Sequence, residues 1–168
     1  MTLPYNSSNP ATSAKKSEEC YEVGNVLKNL LINDLKPRDI VTRKSIENAV
    51  KVITVLGGST NAVLHLLAIA KSAEIDFTIN DFHSICDSTP FLADLKPSGK
   101  YLMEDLHNVG GVPAVMKFML ENEYLDGDCL TITGKTLKEN LMDVKSLEPN
   151  QKIIKSFNNT IKKNGHIR

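Results

Sequence analysis

Residues 57–70, GGSTNAVLHLLAIA, constrain the fold of this chain more than any other stretch of it. Gly57 and Gly58 permit a sharp turn and a close approach of another group to the backbone. Three small polar residues follow, each able to cap a helix, and the nine positions after them are apolar except for His65. Because a helix that is apolar on every side belongs inside a protein, the stretch predicts a polar loop that leads into a buried helix.

The polar loop is also the best candidate for a ligand site. The first turn of a helix presents unpaired N–H groups and the positive end of the helix dipole, which together favour an anion. An ordinary capped helix between two core helices explains the same residues. A lone histidine on an apolar helix is more often a hydrogen-bonded core residue than a proton carrier. The candidate site-lining residues are Gly58, Ser59, Thr60, Asn61 and His65.

Charge and composition narrow the class of partner. Twenty basic residues balance twenty acidic ones, so no long-range field favours nucleic acid or an anionic membrane. The sequence has no run of basic residues and no tryptophan, which argues against a stacking platform for bases. The N-terminal residues lack the apolar segment of a signal peptide, and no apolar run is long enough to span a bilayer. We therefore predict a cytoplasmic protein that binds neither nucleic acid nor membrane.

The three cysteines, Cys20, Cys86 and Cys129, are widely spaced and cannot all pair. In a cytoplasmic protein they are expected to be reduced thiols. Cysteine ligands of iron–sulfur clusters are typically placed by short local motifs, and none of the three lies in one. We predict buried structural thiols, no metal site and no catalytic residue in this chain.

Hydrophobic spacing predicts a long amphipathic helix after an irregular N-terminal stretch at residues 1–16. Ser17 is the expected N-cap of this helix, with two glutamates in the favoured first turn. An apolar stripe then recurs at spacings of three and four from residue 20 to residue 35. The dipeptide Lys36–Pro37 is expected to end the helix.

The rest of the chain is predicted to be helical with little strand. Residues 130–132 are the best candidate for a strand, followed by a turn at Gly134. A helix-rich segment with few short strands is natural for one piece of a larger α/β protein, which is the fold class we predict. Further helices are predicted at residues 42–56, after Gly58 to about 72, from 79 to just before Pro90, and at 103–108, 112–123 and 136–142.

Six stretches of the chain resemble the dihydroxy-acid dehydratases and their sugar-acid dehydratase relatives. The stretches occur in the family's order and span nearly the whole chain. They are residues 3–11 (LPYNSSNPA), 38–43 (RDIVTR), 57–70, 96–101 (KPSGKY), 110–113 (GGVP) and 131–136 (TITGKT). On this resemblance, residues 1–168 are a single segment from the middle-to-late part of the N-terminal catalytic domain of such an enzyme.

The resemblance implies the chemistry of the whole enzyme. Dihydroxy-acid dehydratases remove water from a 2,3-dihydroxy carboxylic acid to give a 2-oxo acid in valine and isoleucine synthesis. The family uses an iron–sulfur cluster and magnesium, and the parent enzyme is expected to be a homodimer. The segments that carry the cluster and magnesium ligands would precede Met1, and the serine proposed as base would follow Arg168. The fragment alone is therefore expected to be inactive and to bind neither cofactor.

Two other interpretations remain open at this point. One is a fragment of a sugar-acid dehydratase of the phosphogluconate type, which shares the mechanism and differs in substrate; residues 97–101 favour the dihydroxy-acid branch. The other is a non-catalytic helical interaction module, for which an exposed apolar stripe on the first helix would be the mark.

Overall fold

The computed structural model describes residues 9–167, so most of the stretch 3–11 and half of the predicted irregular stretch 1–16 lie outside the described residues. Helices make up nearly all of the regular structure in the described part, which confirms the predicted helix-rich segment. In chain order they are α1 (Ala14–Ile32), α2 (Pro37–Ile40), α3 (Arg43–Leu56), α4 (Asn61–Ser72), α5 (Ile79–Ser88), α6 (Met103–Asn108), α7 (Gly111–Glu121) and α8 (Leu137–Met142).

Pairing between extended segments is confined, in the described residues, to isolated bridges. The predicted strand at residues 130–132 is wrong, since only one antiparallel bridge forms there, between Leu130 and Thr136. The turn explains this, because Thr131 N–H donates to the Lys135 carbonyl and α8 begins directly after Thr136. The remaining bridges join Phe91 to Lys162, Ala93 to Ile154 and Leu95 to Tyr101.

The described residues divide into two compact units. One contains residues 9–40 and 103–149, with α6, α7 and α8 packed together. Its core is built from apolar side chains of these three helices, such as Leu106, Val115 and Met119, each fully buried. The other unit contains residues 41–102 and 150–167, with α3, α4 and α5 packed together. Its core cluster consists of Ile46, Val50, Leu66, Ala70, Phe77, Phe82, Cys86 and Ile167.

The start of α3 agrees with the sequence prediction at Thr42. The Thr42 hydroxyl accepts a hydrogen bond from Ser45 N–H, and the Ser45 hydroxyl accepts one from Thr42 N–H. This reciprocal capping box satisfies two amides that the first turn of a helix leaves without an intrahelical partner. Thr78 and Thr136 cap α5 and α8 in the same way, with Asp81 and Glu139 as their partners.

Helix α1 differs from its prediction at both ends and in burial. It begins at Ala14 with Ser13 in the N-cap position, so the predicted cap at Ser17 is wrong. It ends at Ile32, because the chain turns through Asp34 at a φ of +49°, and Pro37 begins α2 instead of ending α1. None of its residues is buried: most of its apolar stripe is exposed, and Leu30 is half-buried.

Helix α4 is not the fully buried helix that its apolar sequence predicts. Only Leu66 and Ala70 are buried, whereas Leu64 is 71% exposed and Ile69 is 42% exposed. The helix packs through one face against α3 and α5 of its own unit. The described residues do not cover its other faces, and the pattern of the sequence alone could not reveal this.

Candidate functional site

The Gly57–Gly58 turn ends α3 and sets the direction of the chain toward α4. Gly57 adopts the left-handed conformation, with φ +74° and ψ +38°. Gly57 N–H donates to the Thr54 carbonyl at 3.3 Å, and Gly58 N–H donates to the Ile53 carbonyl at 2.9 Å. This is the Schellman arrangement, in which two orphan carbonyls of the last helical turn gain partners.

A glycine is needed at position 57 for space as well as for backbone conformation. A Cβ atom there would lie 2.6 Å from the ring of Phe91, closer than non-bonded carbon atoms approach. The Phe91 side chain is buried, with 5% of its surface exposed. The turn therefore lies directly on a fixed aromatic ring, which limits where the following residues can go.

The first turn of α4 follows, and its amides already have local partners. Asn61 N–H donates to the Ser59 hydroxyl at 3.2 Å, and Ala62 N–H donates to the Ser59 carbonyl at 3.0 Å. Val63 N–H donates to the Thr60 carbonyl at 3.1 Å. Thr60 occupies the N-cap position without a side-chain cap hydrogen bond. An anion bound at these amides would have to replace the local partners.

The five predicted site residues lie on one continuous exposed or half-exposed stretch. Gly58 is partly exposed, and the side chains of the next three residues face solvent. His65 lies about one turn into α4 and is exposed, so the interpretation of it as a buried core histidine is wrong. The role of these residues in binding stays a prediction.

The structure adds one residue that sequence reasoning missed. His166 lies 108 positions from Gly58, yet its Nε2 atom is 2.8 Å from the Gly58 carbonyl oxygen. The imidazole also packs on Phe91, with ring centroids 5.1 Å apart and an angle of 38° between the planes. No local pattern marks this histidine, because its partners come from distant parts of the chain.

A surface depression of about 390 Å³ lies beside this histidine. It is lined by Lys162, Lys163, Asn164, Gly165 and His166. The two lysine side chains are exposed and place positive charge at its rim. Because of these two lysines, the depression suits a small anionic group better than an apolar one.

The cysteines and acidic residues of the described part do not fit an iron–sulfur cluster. Cys86 is buried and Cys129 is half-buried, but Cys20 is exposed, so the prediction of a buried thiol is wrong for Cys20. Within residues 9–167, no group of three or more His, Cys, Asp or Glu side chains is placed to hold a metal ion. The Cys86 thiol lies 3.2 Å from the Thr54 hydroxyl, and burial raises the pKa of this thiol. A raised pKa disfavours the thiolate that ligates metals, so Cys86 has the character of a core thiol.

Comparison with known proteins identifies the family. The model of the N-terminal part of the dihydroxy-acid/6-phosphogluconate dehydratases matches residues 1–140. The chain belongs to this dehydratase family. The predicted family resemblance is thereby confirmed.

Individual members of the dehydratase family match the chain over its whole length. A dihydroxy-acid dehydratase of Francisella tularensis subsp. novicida is 58% identical over 168 residues, and one of Flavobacterium psychrophilum is 55% identical. The chloroplastic dihydroxy-acid dehydratase of Arabidopsis thaliana is also 55% identical over 168 residues. The chain spans 28–30% of the length of these three relatives.

None of the helices in the described part combines the length and the apolar character that a membrane-crossing helix requires.

Proposed function

We propose that this chain is one part of a hydro-lyase that converts a 2,3-dihydroxy carboxylic acid into a 2-oxo acid. The observation that carries the proposal is the match to dihydroxy-acid dehydratases at 53–58% identity across the full 168 residues. Such identity favours the dihydroxy-acid branch over the sugar-acid branch of the family. The product then belongs to branched-chain amino-acid synthesis, and the enzyme is expected to work in the cytoplasm as a homodimer.

The proposed reaction is a β-elimination followed by tautomerisation. A base removes the proton on C2, the C3–O bond breaks, and the hydroxyl group departs as water. The resulting enol loses the proton of its C2 hydroxyl and gains a proton at C3, which gives the 2-oxo acid. Both the substrate and the product carry a carboxylate, so the site must contain groups that bind an anion.

Within this chain, we assign the loop of Gly58, Ser59, Thr60 and Asn61, with His65, to the wall of the substrate site. The loop begins a twelve-residue helix, whose dipole adds positive potential at this end. The lysine-rimmed depression at residues 162–166 adjoins the loop through the hydrogen bond from His166 to Gly58. Both features suit the carboxylate end of a dihydroxy acid.

The cofactors implied by the family resemblance, an iron–sulfur cluster and magnesium, find no fitting donor set in residues 9–167. We propose that other segments of the longer enzyme hold them. The 168-residue chain alone is then expected to show no dehydratase turnover.

One experiment tests both parts of this proposal. The purified chain is reconstituted anaerobically with iron and sulfide, and the bound iron and the turnover of dihydroxyisovalerate are measured. We expect iron far below one cluster per chain and no turnover. A defined cluster spectrum that disappears when Cys20, Cys86 or Cys129 is replaced by Ser would contradict the proposal.

Activity assays of the longer enzyme that contains this chain distinguish the dihydroxy-acid branch from the sugar-acid branch. We expect it to dehydrate dihydroxyisovalerate and to leave 6-phosphogluconate unchanged. The reverse preference would assign the chain to the sugar-acid branch.

A non-catalytic interaction module is the second candidate, and one observation favours it. Helix α1 exposes large apolar side chains, including Tyr21 at 84%, Leu31 at 79% and Ile32 at 68%. Exposed apolar area of this kind marks a surface that another polypeptide covers. Sedimentation of the chain over a concentration series tests this: self-association without any effect of the dihydroxy acid favours the module.

A further inference from the structure

We infer that His166 is a positioning residue that fixes the conformation of the loop at residues 58–61. Its importance for substrate binding rests on the function proposed above, whereas its effect on the loop does not.

The direction of the hydrogen bond follows from its partners. A carbonyl oxygen only accepts, so the Nε2 atom of His166 must carry a proton and donate it to the Gly58 oxygen at 2.8 Å. The Nδ1 atom is buried and has no hydrogen-bond partner in the described part of the chain. The polar contact of this imidazole therefore goes to the loop.

The C-terminal segment that carries His166 is itself held in place at three other points. Lys162 pairs with Phe91 through the bridge in which Phe91 N–H donates to the Lys162 carbonyl at 3.0 Å. Gly165 N–H donates to the Cys86 carbonyl at 2.7 Å. Ile167 is 2% exposed and belongs to the core cluster of α3, α4 and α5. The backbone segment that carries the His166 donor is therefore held in a fixed position.

The close packing beside Gly165 supports the same conclusion. A Cβ atom at position 165 would lie 2.6 Å from the Thr54 side chain and 2.8 Å from the Cys86 carbonyl oxygen. The segment therefore lies directly against α3 and α5, and it cannot shift without disturbing their side chains.

The bond to Gly58 orients the peptide unit that opens the loop. The Gly58 carbonyl and the Ser59 N–H belong to one planar trans unit and point in opposite directions. Fixing the oxygen toward His166 directs the Ser59 N–H to the other side of the chain. Ser59 in turn accepts the hydrogen bonds of Asn61 and Ala62, so its orientation sets the first turn of α4.

Phe91 contacts both His166 and the turn at Gly57. Its ring packs against the imidazole of His166 and lies where a side chain at Gly57 would be. His166→Phe keeps an aromatic ring beside Phe91 and removes both imidazole nitrogens, of which only Nε2 has a hydrogen-bond partner in the described residues. A glutamine at that position supplies an amide N–H at nearly the reach of Nε2 and keeps the donor.

The test compares His166→Phe with His166→Gln in the 168-residue chain by amide hydrogen exchange measured by NMR. We expect the Ala62 and Val63 amides to exchange about three- to tenfold faster in His166→Phe, the range that one net hydrogen bond supplies. His166→Gln is expected to stay within about twofold of the native rates, and Ala70 in the last part of α4 is expected to be unchanged in both.

Three results would overturn the inference. The first is equal exchange at Ala62 and Val63 in the native chain and in His166→Phe. The second is loss of protection throughout α4 in both variants, which would show a general folding role. The third, which needs no variant, is an imidazole nitrogen spectrum of the native chain that shows Nε2 without a proton.

Kinetic measurements on the longer enzyme then test the positioning role of His166 separately from the proposed function. If the loop forms the substrate site, His166→Phe raises KM for the dihydroxy acid more than it lowers kcat, and His166→Gln restores it. Faster loop exchange with an unchanged KM would support the positioning role and overturn the assignment of the loop to the substrate site.

Discussion

At the scale of single residues, Asp81 has the most strongly perturbed acid–base behaviour in the described part of the chain. Its carboxylate accepts hydrogen bonds from the hydroxyl and N–H of Thr78, each at 2.7 Å, and from the guanidinium of Arg43. These contacts, those from Thr78 first, lower the pKa of Asp81 from 3.8 to about 2. Arg43 also donates to the Asp76 carbonyl and to Glu47, so it connects the starts of α3 and α5.

We predict that stability falls on acidification partly because Asp81 becomes protonated. The folded pKa lies below the unfolded one, so the contribution is complete above about pH 4 and disappears as the pH falls toward 2. Urea unfolding at a series of pH values measures this. Asp81→Asn should show a smaller loss of stability between pH 4 and pH 2 than the native chain.

Asp76→Asn is the matched control for that experiment. Asp76 is exposed, lies in the loop that precedes α5, and offers Arg43 its backbone carbonyl, which the substitution retains. An identical pH dependence for Asp81→Asn and the native chain would contradict the assignment.

The cysteines give a second prediction at this scale. Cys20 is exposed, whereas Cys86 is 1% exposed and burial raises the pKa of its thiol. Because the thiolate is the reactive species, we expect a disulfide reagent at pH 8 to modify Cys20 quickly. Cys86 should react only after urea is added. Mass spectrometry of timed samples checks the order of modification. Early modification of Cys86 in the folded chain would show that the core of α3, α4 and α5 admits the reagent.

At the scale of the helices, hydroxyl caps distinguish helix starts that look alike in the sequence. Threonine occupies the N-cap position of both α3 and α4, yet only Thr42 accepts a hydrogen bond from its helix. Thr60 adopts a helical conformation itself, with φ −60° and ψ −21°, which turns its side chain away from the capping geometry.

We therefore predict unequal effects of the same substitution at the two caps. Thr42→Ala should lower the free energy of unfolding by about 1 kcal/mol, because the Ser45 N–H in the first turn of α3 loses the hydroxyl that accepts its hydrogen bond. Thr60→Ala should change it by less than about 0.5 kcal/mol. Denaturant unfolding measures both, and equal losses would mean that Thr60 has a structural role that its hydrogen bonds do not show.

At the scale of the whole chain, the most informative feature is the apolar surface that the described residues leave open. Every residue of α1 lies outside the core, and α4 exposes Leu64 at 71% despite its apolar sequence. The chain also spans only 30% of the length of the F. tularensis subsp. novicida relative that it matches throughout. Both facts agree with the proposal that these faces meet further polypeptide in a longer enzyme.

The corresponding prediction compares two apolar residues of the same unit. Leu31→Ala on α1 should change the stability of this chain by less than about 0.5 kcal/mol, since Leu31 is 79% exposed. Met119→Ala on α7 should lower it by about 2–5 kcal/mol, since Met119 is fully buried. Thermal and urea unfolding measure both; a large loss for Leu31→Ala would mean that α1 packs on something in the isolated chain.

The sequence by itself determined the features that depend on neighbours three or four residues apart. The capped start of α3 at Thr42, its end at Gly57 and the bounds of α6 were all predictable. Each rests on hydrogen bonds and steric limits within one turn of helix. The six resembling stretches also identified the dehydratase family, because their order along the chain can be read from the sequence without a structure.

The tertiary structure decided what depends on distant neighbours. It buried one face of α4 and left the other faces uncovered. It also reduced the expected strand at residues 130–132 to a single bridge, because a strand requires a partner strand. It also placed His166 against Gly58, across 108 positions, where no local pattern could predict it. Burial and pairing are set by which segments meet, and a single sequence records that only indirectly.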